Sequence, residues 1–261
     1  MSRAVLLLLL GAGMVGAQSR PAPLSPSQRA VWAGLLRAAD ARLATDTTAI
    51  DRALAAGDPV LRRAAIRAIG QLRMVARYAT ARAAVASPDS GDAAEAAFAL
   101  GLARDSLACA PLQDAVRRGG VVGVEAAWSL GELGERCLPV ADMLAAAPDD
   151  ATRVRVLEVA GRTRGVPADA LLAATRSASA GVRWGAFYAL ARGRRREGVA
   201  AALAAVHDGD ALVREQAARL LTRPLVGDSL APAARRALDD LLVAPEPHVR
   251  IAAVRSLASW G

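Results

Sequence analysis

A short phrase recurs along this chain about every 30 residues. It reads AAEAAFALGLA at positions 93–103 and GVEAAWSLGELG at positions 123–134. Aligning the chain on the small residue that closes each copy gives seven copies, with steps of 31, 30, 30, 30, 31 and 36 residues. The closing residues are Gly70, Gly101, Gly131, Gly161, Ala191, Thr222 and Ala258. A nearly constant period of this length predicts a stack of similar units, which we number repeats 1 to 7.

Each copy has the pattern of one amphipathic helix. We count offset 0 nine residues before the closing residue, so that apolar or small residues recur at offsets 0, 4, 7 and 8, on one stripe of a helix. Three positions before offset 0 stands the predicted cap, whose side chain would accept hydrogen bonds from free backbone N–H groups. The caps are Asp58, Asp89, Asp149, Asp210 and Glu246, with Gly119 and Ser179 in the remaining copies.

Second amphipathic segments lie between these helices, at 74–86, 107–117, 138–147, 168–177, 199–206 and 230–243. One repeat is therefore predicted to be a helical hairpin, which buries its apolar faces only by stacking on its neighbours. The segment RPLVGDSLAP at 223–232 makes the last step longer and is the predicted discontinuity of the stack.

The repeated pattern Asp-x-x-Val-Arg-x-x-x-Ala-x-x-Ala-Leu-Gly resembles the HEAT repeat, in the short form named after phycobilisome (bilin) lyases. The resemblance covers about residues 47–259. It implies an all-α fold, a right-handed α-solenoid (α-α superhelix) of about seven HEAT-like helical hairpins. We expect an N-terminal cap helix at 25–46, with Ser27 as its cap, followed by the repeat array at 47–261. No catalytic residue is transferred from the lyases.

The amino terminus has the layout of a secretory signal. Arg3 precedes an apolar run at 4–15, and small residues precede Gln18, so we expect cleavage after Ala17. The run is too short to span a bilayer comfortably, and an uncleaved anchor is the alternative. We therefore expect a signal peptide at 1–17, a linker at 18–24, and an exported protein, periplasmic or secreted, with no integral membrane segment after cleavage.

The formal charge of +8 is a weak argument for a nucleic-acid partner. All 33 basic residues are Arg, while Lys and Asn are absent, a bias that a GC-rich genome would impose. The 25 acidic residues are scattered among the arginines, as on solvated helix surfaces. The arginines at offset 1 are Arg62, Arg153, Arg183, Arg214 and Arg250. For these five arginines we predict contacts with Asp residues along the stack, with ligand binding as the alternative. We expect no nucleic-acid partner.

The sequence lacks the common catalytic motifs. It contains no Gly-x-Ser-x-Gly, no Gly-rich phosphate loop and no His-Glu-x-x-His, and without lysine no Schiff base is available. His207 and His248 fall near predicted turns and are interpreted as solvated loop residues. We predict a protein that is not an enzyme and uses no cofactor and no metal.

Two cysteines occupy equivalent places in neighbouring repeats. CAPLQDAV begins at Cys109 and CLPVADML at Cys137, each at the predicted start of an outer helix. Exported proteins keep disulfides, but equivalent positions on packed helices are about 8–10 Å apart and a disulfide needs Cα atoms within about 7 Å. A disulfide between converging helix starts and a pair of buried thiols are the two alternatives.

Offsets 2 and 6 lie opposite the buried stripe, on the side that lines the concave surface of HEAT-like arrays. Four of the eight aromatic residues fall there. The predicted partner-binding residues are Phe98, Val124, Trp128, Val154, Trp184 and Tyr188, flanked by Arg67 and Arg219. Exposed aromatic side chains beside arginine are typical anchors of protein interfaces. The alternative is that these rings fold into gaps between repeats.

We therefore predict a non-catalytic, exported protein–protein interaction scaffold that binds a protein or peptide along the concave face. The alternative is the N-terminal repeat region of a larger exported enzyme, by analogy with exported bacterial proteins that join such repeats to a cyclophilin-like peptidyl-prolyl isomerase domain. The sequence stops at SLASWG, directly after a repeat helix. Because arrays need their terminal apolar faces covered, we also expect a further domain or chain to cap the C-terminal end.

Overall fold

The computed structural model describes residues 25–42 and 47–261. The signal peptide and linker predicted for 1–24 lie outside the described residues, as do residues 43–46. Every regular element in the described part is a helix. The α-helices are α1 (Pro26–Asp40), α2 (Thr48–Ala55), α3 (Pro59–Gln71), α4 (Tyr78–Ala84), α5 (Ser90–Ala103), α6 (Cys109–Arg118), α7 (Gly120–Leu133), α8 (Val140–Ala146), α9 (Asp150–Ala160), α10 (Ala168–Ala174), α11 (Ala180–Arg192), α12 (Val199–Ala205), α13 (Ala211–Leu220), α14 (Ala231–Leu241) and α15 (Pro247–Leu257).

Short 3-10 helices precede several of these, at Val75–Arg77, Ser106–Ala108, Glu135–Cys137, Arg196–Gly198 and Asp228–Leu230. None of the described helices is both long and apolar enough to cross a bilayer.

The helices form two sets. The helices of the seven repeats, here called the repeat helices, are α3, α5, α7, α9, α11, α13 and α15, and each packs against the next in chain order. The intervening helices are α2, α4, α6, α8, α10, α12 and α14, and each packs against the repeat helix that follows it. The leading helix α1 packs against α2 and α3. The core lies where these helices meet and consists mainly of Ala, Leu and Val.

Small residues bring the repeat helices into close contact. The residue at offset 4 is fully buried in every repeat, and it is Ala in all but one: Ala65, Ala96, Ala126, Val156, Ala186, Ala217 and Ala253. A Cβ added at Gly70 would lie 2.6 Å from the Cα of Ala99, and one at Gly161 would lie 2.9 Å from the Cα of Ala189. The glycine that closes the early repeats is therefore required because the next helix crosses there.

The predicted caps are confirmed at four acidic residues. Asp58, Asp89, Asp149 and Asp210 each accept a backbone N–H bond at the start of their helix, and Ser179 does the same. The prediction is wrong for Glu246, which makes no side-chain cap bond; its carboxylate instead accepts a 2.8 Å bond from Arg214.

The cap of the leading helix lies two residues earlier than predicted. It is Ser25 rather than Ser27, because Ser25 and Gln28 form a reciprocal capping box and Pro26 occupies the first helical position. The helix ends at Asp40.

The arginines at offset 1 pair with residues other than the caps of their own helices. Arg62 binds Asp92 of the next repeat, at 2.5 Å. Arg183 makes a bidentate contact of 2.8 Å with Asp208 in the turn before the next repeat helix. Arg214 reaches Glu246, whereas Arg153 pairs within its own helix and Arg250 donates to backbone carbonyls. Three of these arginines thus tie one repeat to the next.

The longer segment at 223–232 does not interrupt the row of repeat helices, so the predicted discontinuity is wrong. Helix α13 packs directly against α15. The backbone N–H of Arg223, the first residue of the segment, donates to the hydroxyl of Ser259 at 2.9 Å. The indole N–H of Trp260 donates to the carbonyl of Leu221 at 3.2 Å. The guanidinium of Arg223 lies 5.7 Å from the Trp260 ring centre. Trp260 is consequently half-buried by the chain itself.

Candidate functional site

All eight predicted partner-binding residues lie on repeat helices. The six apolar ones, which we call the aromatic face, are Phe98 on α5, Val124 and Trp128 on α7, Val154 on α9, and Trp184 and Tyr188 on α11. Each of these six side chains is half-buried. The two flanking arginines, Arg67 on α3 and Arg219 on α13, are exposed. The aromatic face therefore extends over four consecutive repeat helices.

The rings of the aromatic face form two pairs. The ring centres of Phe98 and Trp128 are 4.9 Å apart and their planes are tilted by 31°. This pair joins α5 to α7. The rings of Trp184 and Tyr188, one turn apart on α11, are 5.5 Å apart and stacked, with 20° between their planes. Both separations lie within the range in which aromatic pairs attract each other.

The rings also fill space between helices. A Cβ added at Gly101 would come within 2.8 Å of the Trp128 ring, so this ring leans over the backbone of the preceding repeat. Val154 and Trp184 pack against the buried core. Because each side chain is half-buried, part of its surface remains open to solvent along the face.

An ion pair separates the two ring pairs. Arg155 on α9 contacts Glu158 at 2.9 Å. The Nε of Arg155 is buried and has no hydrogen-bond partner.

The flanking arginines are held by acidic residues that the sequence analysis did not single out. Arg67 makes a bidentate contact with Glu95, at 2.6 and 2.8 Å. Its guanidinium also lies 5.5 Å from the centre of the Phe98 ring. The hydrogen bonds that Arg67 donates to Glu95 are the main cause that raises the pKa of Arg67. Arg219 pairs with Glu215 of its own helix. Glu95 occupies offset 3, one turn before offset 6 on the same side of the helix, and that spacing was the available signal.

A cleft of about 370 Å³ opens at one end of the aromatic face. Its lining residues come from α3, α5 and α7: Arg63, Arg67, Gly91, Ala94, Glu95, Phe98, Val121 and Glu125. Arg63 is held by Asp89 at 2.9 Å and by the buried Asp92 at 3.1 Å. Val121 is 54% exposed, so the cleft offers apolar as well as charged surface.

Glu125 is the unusual member of this cleft. Burial is the main cause that raises its pKa above the usual range, and the charge of Glu95 adds to this effect, while the charges of Arg155 and Arg67 oppose it. Those two arginines are engaged with Glu158 and Glu95. The carboxylate of Glu125 therefore stands in a partly desolvated position without an ion-pair partner of its own among the described residues.

Larger clefts lie elsewhere, among them two that lie against the intervening helices. One of about 630 Å³ lies between α1 and α2, and one of about 550 Å³ is lined by residues of α10 and α12. Alanine supplies four of the ten residues that line each of these two clefts, and neither includes a residue of the aromatic face.

Cys109 and Cys137 are joined by a disulfide bond, with Cα atoms 5.2 Å apart. Cys109 is the first residue of α6, and Cys137 ends the short helix before α8. The bond thus joins the start of α6 to the segment just before α8. Among the described residues, no three His, Cys, Asp or Glu side chains converge as metal ligands. His207 is exposed and His248 is half-buried.

No family model matches the chain, and no curated protein matches it. Among solved structures, an engineered protein from the Northeast Structural Genomics Consortium superposes with a TM-score of 0.51 at 18% identity, covering 85% of this chain and 70% of the other. A second engineered protein from the same consortium gives a TM-score of 0.40 at 18% identity, covering 82% and 96%. At this identity, the first likeness supports the all-helical fold alone.

Proposed function

We propose that this protein is a non-catalytic scaffold that binds a polypeptide along the aromatic face. In this proposal the chain is a right-handed α-solenoid of about seven HEAT-like hairpins, and the aromatic face lies on its concave side. The observation that carries the proposal is the pair of half-buried ring clusters, Phe98 with Trp128 and Trp184 with Tyr188, along one row of helices. Aromatic side chains that keep an open surface are the usual energetic anchors of protein interfaces.

The dimensions of the face suit an extended segment. Three helix-to-helix steps separate α5 from α11, and at about 8–10 Å a step they span roughly 24–30 Å. An extended chain covers this distance with about seven to nine residues. Apolar side chains of such a segment would contact the two ring clusters, and its polar groups would lie near Arg155 and Glu158 between them.

Export is part of the same proposal. The layout of residues 1–17 is that of a signal peptide. The disulfide between Cys109 and Cys137 supports it independently, because such bonds persist in oxidising compartments and are rare in the cytosol.

A peptide selection tests the proposal. The oxidised protein is immobilised and challenged with a phage-displayed library of random peptides about 12 residues long, chosen to exceed the span of the face. We expect peptides to be enriched over the bare support. We also expect Tyr188→Ala to weaken their binding about tenfold or more, since truncating an interface anchor costs about 2 kcal/mol.

The matched control is Leu107→Ala, which removes a side chain that is 71% exposed outside the aromatic face, just before α6. This variant should bind the selected peptides as the wild type does. The absence of any enrichment, or equal loss in both variants, would contradict the proposal. Urea denaturation of both variants shows that the fold is retained.

A further inference from the structure

One arginine-binding arrangement is already occupied within the chain. Arg67, at offset 6 of repeat 1, contacts two residues of repeat 2. Its guanidinium makes a bidentate contact with Glu95 at offset 3. The same guanidinium lies over the ring of Phe98 at offset 6. A carboxylate and an aromatic ring, one helical turn apart, thus hold a guanidinium from the preceding helix.

The next repeat carries the same pair without its arginine. Repeat 3 has Glu125 at offset 3 and Trp128 at offset 6. The arginine's place, offset 6 of the preceding repeat, is held by Phe98, whose ring lies against Trp128. An aromatic ring contacts Trp128 well but cannot neutralise Glu125. Repeat 3 therefore has the carboxylate and the ring of this arrangement, but no arginine at offset 6 of the preceding repeat.

The charges around the cleft show the same imbalance. Arg67 is neutralised by Glu95. Arg63 and Arg62 are neutralised by Asp89 and Asp92. The remaining charge on the lining is the carboxylate of Glu125, on which Arg155 acts through its charge while its ion-pair contact is with Glu158. A partly buried carboxylate without a partner is costly, and a cation placed against it would offset that cost.

We propose that this cleft binds an arginine side chain of the polypeptide partner, with its guanidinium paired to Glu125 and packed beside the ring of Phe98, both of which line the cleft. The inference rests on the proposed function, because the arginine belongs to a polypeptide on the aromatic face. The apolar stem of the side chain would lie on Ala94 and Val121, which line the cleft. We expect selectivity for arginine over lysine because the guanidinium group is planar. It pairs with a carboxylate through two hydrogen bonds and stacks on rings, as Arg67 does.

The raised pKa of Glu125 agrees with this placement. A neighbouring cation favours the charged form of a carboxylate, so the bound arginine would lower the pKa that burial raises.

The test uses the same library of random peptides selected on three proteins. These are the wild type, Glu125→Gln, and the control Glu132→Gln, which changes a glutamate on the same helix that pairs with Arg104 outside the cleft. We expect arginine to be enriched in peptides selected on the wild type and on the control. On Glu125→Gln its frequency should return to that of the input library. A selected peptide, labelled with fluorescein, is then compared with its citrulline analogue, which keeps the shape but loses the charge. Citrulline should weaken binding to the wild type about tenfold or more and have little effect on the Glu125→Gln protein.

The outcomes separate this inference from the proposed function. Enriched peptides without arginine, or equal binding of the arginine and citrulline peptides, would overturn the arginine site and leave polypeptide binding standing. If no peptide is enriched on any protein, both proposals fail. The citrulline comparison requires no change to the protein, so it stays decisive even if a variant folds poorly.

Discussion

The carboxylate of Asp149 accepts a 2.8 Å hydrogen bond from the backbone N–H of Gly120, which lies 29 residues earlier and one repeat away. The same side chain caps its own helix through the N–H of Thr152, also at 2.8 Å. Repeat 3 has glycine at its cap position, so the next repeat supplies the missing acceptor. One carboxylate therefore serves the starts of α7 and α9 and ties them together.

Replacing Asp149 should cost more than replacing a cap that serves one helix. We expect Asp149→Ala to lower the free energy of unfolding by about 2 kcal/mol, since two helix starts lose their acceptor, at about 1 kcal/mol each. The control Asp210→Ala, whose side chain caps only α13, should cost about 1 kcal/mol. Urea denaturation measures both, and an equal loss would show that the bond to Gly120 contributes nothing.

Gly119 should tolerate no side chain. Its φ of 70° lies in the left-handed region. A Cβ there would also meet Asp149 and would lie 3.2 Å from the Cδ of Pro148. We expect Gly119→Ala to lower the free energy of unfolding by more than about 1 kcal/mol. Gly209→Ala is the control, because its φ is not positive and its added Cβ would meet nothing within 4 Å. A similar, small effect of both changes in thermal unfolding would contradict this account of Gly119.

The disulfide should stabilise the middle of the array. It closes a segment with a sequence separation of 28 residues. Because the bond restricts the unfolded chain, we expect the free energy of unfolding to fall by about 3–4 kcal/mol when Cys109 and Cys137 are both changed to Ser. Hydrogen exchange should accelerate most in α6 and α8, the helices next to the bond. An unchanged free energy of unfolding in the double variant would count against this role. So would faster hydrogen exchange that is confined to distant helices.

The ion pair between Arg183 and Asp208 should make stability depend on acid pH. The hydrogen bond from Arg183 is the main cause that lowers the pKa of Asp208. A carboxyl group with a lowered pKa contributes stability above its unfolded value of about 3.9, and this contribution is lost as the pH falls through the folded value. We expect Asp208→Asn to cost about 1–2 kcal/mol at neutral pH. The difference from the wild type should shrink as the pH falls below about 3.9.

An exposed carboxylate provides the comparison for that series. Asp114, whose side chain is 76% exposed, pairs with Arg117 of its own helix. Asp114→Asn should change the free energy of unfolding by less than about 0.5 kcal/mol. The difference in free energy of unfolding between the wild type and Asp208→Asn could instead stay constant down to pH values well below about 3.9. That result would mean that the ion pair does not link stability to protonation.

The repeat period predicted the face on which the rings lie, because helix geometry fixes where offsets 2 and 6 point. It also predicted most of the caps, which depend on local sequence. It did not predict the partners of the arginines, since these depend on the shift between successive helices. Arg183, for example, reaches Asp208, two residues before the cap at Asp210.

The role inferred for Glu125 was beyond the sequence for a related reason. Its significance appears only once the contact between Arg67 and Glu95 is known, because that contact defines what repeat 3 lacks. The same holds for Trp260, whose contacts with Leu221 and Arg223 join the end of one repeat to the preceding repeat. Both features depend on contacts between repeats, which the sequence pattern within one repeat does not predict.

The central claim is that a polypeptide lies along the aromatic face, and cross-link mapping tests it most directly. A peptide from the selection is synthesised with a photoreactive benzophenone side chain, bound to the wild-type protein and irradiated, and the cross-linked residues are identified by mass spectrometry. The account predicts cross-links on the repeat helices, within Ser90–Ala103, Gly120–Leu133 and Ala180–Arg192. Cross-links concentrated on the intervening helices would contradict it.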